Sequence, residues 1–328
     1  MNTYRVTMKA KSTMTDFADS QTLFGAFCWA IRDLYGSERL EKILDNFLDC
    51  EDTFILSSTF PKGLFPKPII NFTDNEVIDK FRVIDYKLTS PVIKKLNKIR
   101  YISEEVFKDF ITGRFDAGKI IIDLALKKGV YILENDFLCK TSENIKLQRI
   151  KVINDMRNNL NRLTNSTEEG NLFYHKRIYI EKDAEFNFYV KTKNEVMINS
   201  VLKYLSDSAL LGDKSTGMNV YEFSNPEDAG DLFAESKIEK SYLLSKYIPQ
   251  NGDIDWSKKN NYQLVSLNYR VESREEFLTE DNVKKQVVYM TEGSLIHLNN
   301  RERINGCLPV IKEIGRSKIY QNGLGFFV

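Results

Sequence analysis

The sequence predicts an α+β protein of two domains, each an antiparallel sheet with helices on one face. Three observations carry this. The chain has 328 residues, of which 42% are hydrophobic, enough for two cores. Strand, helix, strand and strand follow one another in each half. Periods of 2 and 3.6 alternate along the chain, with turn residues between them. The division is expected at 1–165, carrying an insertion over about 71–150, and 166–328.

Tyr4 to Lys9 alternates as an opening strand. Asp19 or Ser20 can cap a helix running to Tyr35, with Gly36 at its end and Leu23, Phe24, Phe27, Ile31 and Leu34 on one face. Leu40 to Leu48 reads as a short helix and Thr53 to Ser58 as a strand. Pro61, Pro66 and Pro68 hold FPKGLFPKPII extended. In the insertion, Lys87, Lys94, Lys95, Lys98 and Arg100 form a basic stretch behind Asp85. Ser103 starts a helix that stops before Gly113. LFYHKRIYI places Phe173, His175 and Arg177 on one face of a strand and Tyr174, Lys176, Ile178 and Ile180 on the other. It is expected to pair with AEFNFYVK about a turn at Lys182 and Asp183. A helix over Asn194–Leu205 leads into the glycine loop LLGDKSTGMNVYEF. Further strands are expected at 241–248, 262–271, 286–291, 308–314 and 324–328.

Lysine and arginine number 47, aspartate and glutamate 46, for a net charge of +1. A free-standing DNA-binding protein shows its basic excess in the total, so any nucleic acid is gripped by local patches. Cys28, Cys50, Cys139 and Cys307 are far apart, which fits a reducing compartment and no zinc ribbon. The N-terminus lacks a signal-peptide core, and the longest apolar run, Leu23 to Ile31, is about half the length of a membrane span. The chain reads as soluble and cytoplasmic, with no membrane association.

Candidate chemistry concentrates in Arg157 to Phe173. Asn158, Asn159, Asn161, Thr164, Asn165, Ser166 and Thr167 with Arg157 and Arg162 either close turns on their own backbone or bind a chain of phosphate acceptors. Gly212 to Gly217 resembles the start of a P-loop but lacks its closing Gly-Lys-Ser/Thr and enters a strand rather than a helix. What remains is a loop able to hold phosphates without hydrolysing them, or a plain loop. Phe60, Phe65, Phe72, Tyr86 and Tyr101 are interleaved with lysines, as in a stacking surface, yet aromatics at this spacing more often form core. His175 and His297 have no sequence neighbour that makes a general acid–base pair, and no metal-ligand spacing is present.

Six segments together resemble the RAMP superfamily of CRISPR proteins, and within it the subunits that cap the crRNA 5′ end in type III-A (Csm) effector complexes. They are SQTLFGAFCWAI, FPKGLFPKP, KKLNKIRYISEEVF, RNNLNRLTNSTEEGNLFYHKRIYI, LLGDKSTGMNVYEF and NGLGFFV, in the family's order and over nearly the whole chain. The resemblance implies two ferredoxin-like (RRM-like) domains, a protruding β-hairpin or thumb, no cofactor and no catalytic site. It implies three partners: the 5′ handle of crRNA, a large polymerase-like subunit that makes cyclic oligoadenylate, and a backbone RAMP subunit. The RNA-binding residues it carries over are Ser20, Thr22, Phe24 and Gly25, Lys62 and Lys67, Arg157, Asn161, Arg162 and Thr164, and Gly212, Lys214, Ser215, Thr216 and Gly217. Asn219 stands where such loops commonly close with glycine, and Asn171 replaces a glycine often seen before the Leu-Phe pair. Two other roles compete: an endoribonuclease that processes crRNA precursors, and a backbone subunit.

Overall fold

The structure is a computed structural model that describes residues 1–73, 75–81, 84–134, 136–143, 145, 149–161, 163–164, 166–210, 216–234, 236–272, 283–314 and 317–328; among these, 75–76, 159–161, 167–171, 314 and 317 are described by backbone alone. Strand β1 (Asn2–Ala10) buries Tyr4, Val6, Met8 and Ala10 on alternate positions. Helix α1 (Ser20–Tyr35) starts at Asp19, whose carboxylate accepts from the Thr22 N–H, and stops at Gly36 with φ of 89°. Helix α2 (Ser37–Asp45) and strands β2 (Phe54–Leu56), β3 (Phe60–Pro61) and β4 (Leu64–Pro66) follow, the last two turning about Gly63 at φ 77°. Next come α3 (Asn75–Phe81), α4 (Tyr86–Lys98), β5 (Tyr101–Ser103), α5 (Glu104–Ile111), α6 (Ala117–Leu126), β6 (Tyr131–Leu133) and β7 (Phe137–Lys140). The Ser103 hydroxyl caps α5 by accepting from the Val106 N–H, with Glu104 and Glu105 in the first turn.

Two long strands, β8 (Ile150–Asn161) and β9 (Ser166–Ile180), precede β10 (Glu185–Thr192) and α7 (Glu195–Asp207), which Asn194 caps. Beyond lie β11 (Tyr221–Phe223), β12 (Glu227–Asp228), α8 (Gly230–Ala234), β13 (Ser241–Tyr242), β14 (Leu264–Leu267), β15 (Val287–Met290), β16 (Leu295–Ile296), β17 (Val310–Ile314) and β18 (Ser317–Tyr320).

The main sheet runs β11-β1-β10-β2, with β12 beside β1 and β3 beside β10. All its pairings are antiparallel, and β1 meets β10 from Asn2↔Thr192 to Lys9↔Glu185. With α1 after β1 and α7 after β10, this is the order of a ferredoxin-like βαββαβ unit. Its strands come from both sides of position 165/166, and residues between β3 and β10 form an insertion longer than 71–150. That insertion has its own sheet, β4-β5-β7-β6, in which β5 and β7 are parallel.

The C-terminal part is built from antiparallel ribbons. Residues 241–248 lie between two neighbours: β13 pairs β16, while Leu244 N–H donates to Phe326 O and Tyr242 exchanges both bonds with Val328. β14 adds to β15, and β17 to β18. An aromatic column joins the three parts. Phe65 of β4 stacks on Phe107 of α5 with centroids 3.9 Å apart, and on Tyr189 of β10 at 5.6 Å. Phe107 reaches Tyr242 at 5.5 Å and Tyr189 reaches Phe326 at 6.3 Å. Phe60, Phe65 and Phe72 are therefore core, as their spacing favours, while Tyr86 is exposed.

Candidate nucleic-acid interface

The segment between Arg157 and Phe173 is not an open loop. β8 and β9 continue through it as one antiparallel hairpin, from Ile150↔Ile180 to Asn161↔Ser166, with a register shift between Asn158 and Leu160. The expected β9–β10 hairpin does not form. β9 turns at Asp183, φ 64°, and pairs with β8, while β10 pairs with β1. Alternation fixed which side chains share a face but not which strand lies alongside.

The two faces are as the sequence predicts. One carries Asp155, Arg157, Phe173, His175 and Arg177, with Arg177 Nε 2.9 Å from Asp155 Oδ2. The other carries Val152, Met156, Leu172, Tyr174 and Lys176 before reaching the buried Ile178. Tyr174 is 72% exposed and Met156 62%, an apolar surface on a free-standing ribbon. These residues were absent from the expected site. For Leu172, Tyr174 and Lys176 the signal was the same alternation in LFYHKRIYI, and among the described residues β8 and β9 pair only with each other in their sheet.

At its root the hairpin is held by Met14 and Ile178, whose N–H and C=O groups exchange bonds of 3.0 and 2.7 Å. Lys176 Nζ lies 3.6 Å from Asp16 Oδ1. Arg157 Nη2 approaches Met218 Sδ at 3.5 Å, bringing the hairpin against the base of the glycine loop. Three segments thus meet on one surface: 11–16, the lower hairpin and 216–219. They offer guanidinium and ammonium groups beside exposed Thr216 and Gly217, with Gly217 at φ 71° and open space where a Cβ would stand. Such a set suits a sugar–phosphate chain.

Asn219 anchors this surface. Its backbone takes φ 59°, the left-handed conformation that a glycine would adopt there and that asparagine tolerates best among the rest. Its N–H donates to Thr13 O at 2.9 Å, and its side-chain oxygen accepts from the Thr15 N–H at 2.9 Å. The departure from glycine keeps the backbone shape and adds side-chain bonds. Asn219→Gly is expected to unfold at higher denaturant than Asn219→Ala, by about 1 kcal/mol, because alanine bears the left-handed strain. Equal stabilities of the two variants would show that the backbone conformation does not constrain this position.

The remaining expected residues are dispersed. Ser20 and Phe24 are buried. Ser20 ties α1 to distant segments: its N–H donates to Ser58 Oγ at 3.0 Å, and its hydroxyl accepts from the Lys246 N–H at 2.9 Å. Gln21 Oε1 accepts from the Asn322 N–H at 2.6 Å, and Phe24 packs on Phe47 and Phe54. The N-terminus of α1 is served by the Asp19 carboxylate, which takes the Thr22 N–H and hydroxyl and the Tyr269 hydroxyl. A phosphate there would meet a like charge. Gly25 is partly exposed with free space around it.

Lys62 pairs with Glu185 at 2.6 Å. Lys67 donates to Leu96 O and Asn97 O at 2.9 and 3.0 Å, closing α4, and burial lowers its pKa. Thr164 lies at the hairpin tip, its hydroxyl 2.8 Å from Ser166 Oγ, beside the 96% exposed Leu163. Arg162, Gly212, Lys214 and Ser215 lie outside the described residues, and Asn161 is placed by its backbone alone.

The two histidines are on separate elements. His175 is on the hairpin, whereas His297 is buried in the C-terminal part, 3.8 Å from Glu239, with burial lowering its pKa. Among the described residues no group of three His, Cys, Asp or Glu side chains could hold a metal ion. No described helix is long and apolar enough to cross a membrane.

No family model matches the chain, and no curated protein matches it. Solved structures do. Over 99% of its length the chain is similar to 98% of a chain in the crystal structure of the Csm3–Csm4 subcomplex of the type III-A CRISPR-Cas interference complex, at 18% identity and a TM-score of 0.62. It matches 97% of a chain in the Csm1–Csm4 cassette with AMPPNP, at 18% identity and a TM-score of 0.56. The same cassette with pppApA gives 16% identity, 97% of that chain and a TM-score of 0.58. Csm4 is the component these assemblies have in common. The chain therefore has, from end to end, the fold found in Csm assemblies of type III-A CRISPR-Cas.

Proposed function

We propose that the chain is a non-catalytic RNA-binding subunit of a type III-A CRISPR-Cas (Csm) interference complex. It binds the 5′ handle of crRNA and joins a large polymerase-like subunit to the backbone of RAMP subunits in antiviral defence. The observation that carries this reading is the meeting of the hairpin with the base of the glycine loop at Arg157 and Met218. A ribbon with Arg157 and Lys176 near its root, standing over a loop of exposed backbone, can follow phosphates there and press its exposed Met156, Leu172 and Tyr174 against bases. The end-to-end fold likeness to chains of the Csm3–Csm4 and Csm1–Csm4 assemblies supports two protein neighbours. A near-zero net charge agrees with a surface shared between RNA and protein partners.

The test is binding of a handle-bearing RNA to the full chain and to Arg157→Ala/Lys176→Ala. The double variant is expected to bind about tenfold more weakly and to show a log–log salt slope smaller by about 1.4, the counterions of two phosphate contacts. The RNA is expected to stay intact, with or without added metal. Unchanged affinity and slope would remove the hairpin root from the site. Metal-independent cutting of repeat RNA, lost in His175→Ala or His297→Ala, would favour the endoribonuclease instead.

A further inference from the structure

We propose that α4 carries a second phosphate-chain site, separate from the hairpin, in which Lys87, Lys94, Lys95 and Lys98 follow the backbone of a single RNA strand. The helix buries Thr89, Ile93 and Leu96 and turns all four lysines to solvent. Among the described residues none of the four has an ion-pair partner. Some other lysines are held in place: Lys62, Lys80, Lys108, Lys140 and Lys246 each sit on a carboxylate. The acid beside the stripe is already engaged, because the Asp85 carboxylate caps α4 by accepting from the Lys87 N–H at 2.9 Å.

Compensation of the helix dipole accounts for Lys95 and Lys98, which lie in the last turn. It does not account for Lys87, placed at the positive end of the helix, nor for Lys94. The last carbonyls are in any case served by Lys67 from another segment. Lys94 and Lys98, one turn apart, repel each other unless an anion lies between them. The stripe runs about 16 Å along the axis, long enough to track consecutive phosphates.

Tyr86, 74% exposed at the start of the helix, leaves a ring on which a base can stack. Lysines act as point charges, so the contact is independent of base sequence. A lipid surface fits poorly, because the apolar face of α4 is already buried in the protein. That the polyanion is RNA rests on the functional reading above.

The experiment uses the full chain and a fluorescein-labelled single-stranded RNA of mixed sequence without the handle, read by anisotropy. Lys87→Glu/Lys94→Glu/Lys98→Glu is expected to weaken binding at least tenfold at about 50 mM salt and to lower the log–log salt slope by about 2. Its unfolding midpoint is expected to match that of the native chain, since all three positions are exposed. If the glutamates unfold the chain, glutamine at the same positions gives the same slope change.

Unchanged affinity and slope would overturn the proposal. So would a loss no larger than that from Lys203→Glu, an exposed lysine on α7, or a loss confined to vesicles containing phosphatidylserine. The two readings fail separately. Loss in the α4 variant with none in Arg157→Ala/Lys176→Ala keeps this site and removes the hairpin root, and the reverse result removes α4 alone.

Discussion

Asp253→Ala is expected to lower the unfolding free energy by about 3–5 kcal/mol, the cost of leaving the buried Tyr247 hydroxyl and Gly306 N–H without their acceptor. Asp253 is 1% exposed. Its Oδ1 accepts from Arg303 at 2.6 Å, and its Oδ2 accepts from the Tyr247 hydroxyl at 2.8 Å and from the N–H groups of Gln250 and Gly306 at 2.9 Å. One carboxylate thus gathers four donors from segments that no regular strand pairing joins. Burial, then this carboxylate, keep the Tyr247 phenol protonated far above its usual range. Asp253→Asn keeps the shape and one acceptor but loses the charge, so it is expected to fall between the native chain and the alanine variant. Denaturant unfolding of the three proteins decides this, and an alanine variant within about 1 kcal/mol of the native chain would show that water takes over the carboxylate's work.

Gly306→Ala is expected to cost about as much, by a different mechanism. Gly306 stands at φ 104°, and a Cβ there would collide with Gly323 O and lie 2.9 Å from Leu324 Cα. Both obstacles are backbone, so no rotamer change relieves them. The backbone strain alone is about 1–3 kcal/mol, and overpacking adds about as much again. Gly323→Ala is a sharper comparison than it first looks. Its Cβ would lie 2.5 Å from Ile248 Cβ, which no rotamer change moves, and 2.7 and 2.8 Å from Cγ1 and Cδ1, which can turn away, and it adds no left-handed backbone strain. Gly306→Ala is therefore expected to be the less stable of the two by at least about 1 kcal/mol. The reverse order would mean that the terminal strand shifts easily past residue 306. These glycines explain why the ending NGLGFFV is built as it is: it threads between 248 and 306 with no room for side chains at Gly323.

What the sequence reveals and what it hides follow one physical division. Local signals were legible. Asp19, Ser103 and Asn194 cap the helices they precede, Gly36 ends α1, and the two faces of β9 match the alternation of LFYHKRIYI. Partners distant in sequence were not. The pairing of β1 with β10, and of β8 with β9 instead of β9 with β10, depends on which edges are free, and periodicity carries no such information. Ser20 was open to the same error. A serine at a helix start reads as a cap or an anion site, whereas its hydroxyl is used by the Lys246 N–H, a contact across 226 residues. Lys67 likewise reads as a surface cation and instead closes α4. The segment after Arg157 looked like a loop because its short polar residues favour turns, yet a two-stranded ribbon exposed on both faces tolerates them.

Purifying the chain from its native host and characterising what comes with it would show whether it holds a guide RNA within a type III-A assembly. Guides sharing one constant 5′ handle, one large polymerase-like protein and several copies of a backbone subunit are expected, with the guides depleted from a variant carrying Arg157→Ala and Lys176→Ala. Recovery of unprocessed repeat RNA alone, freshly cut at a single position and without those proteins, would contradict this expectation.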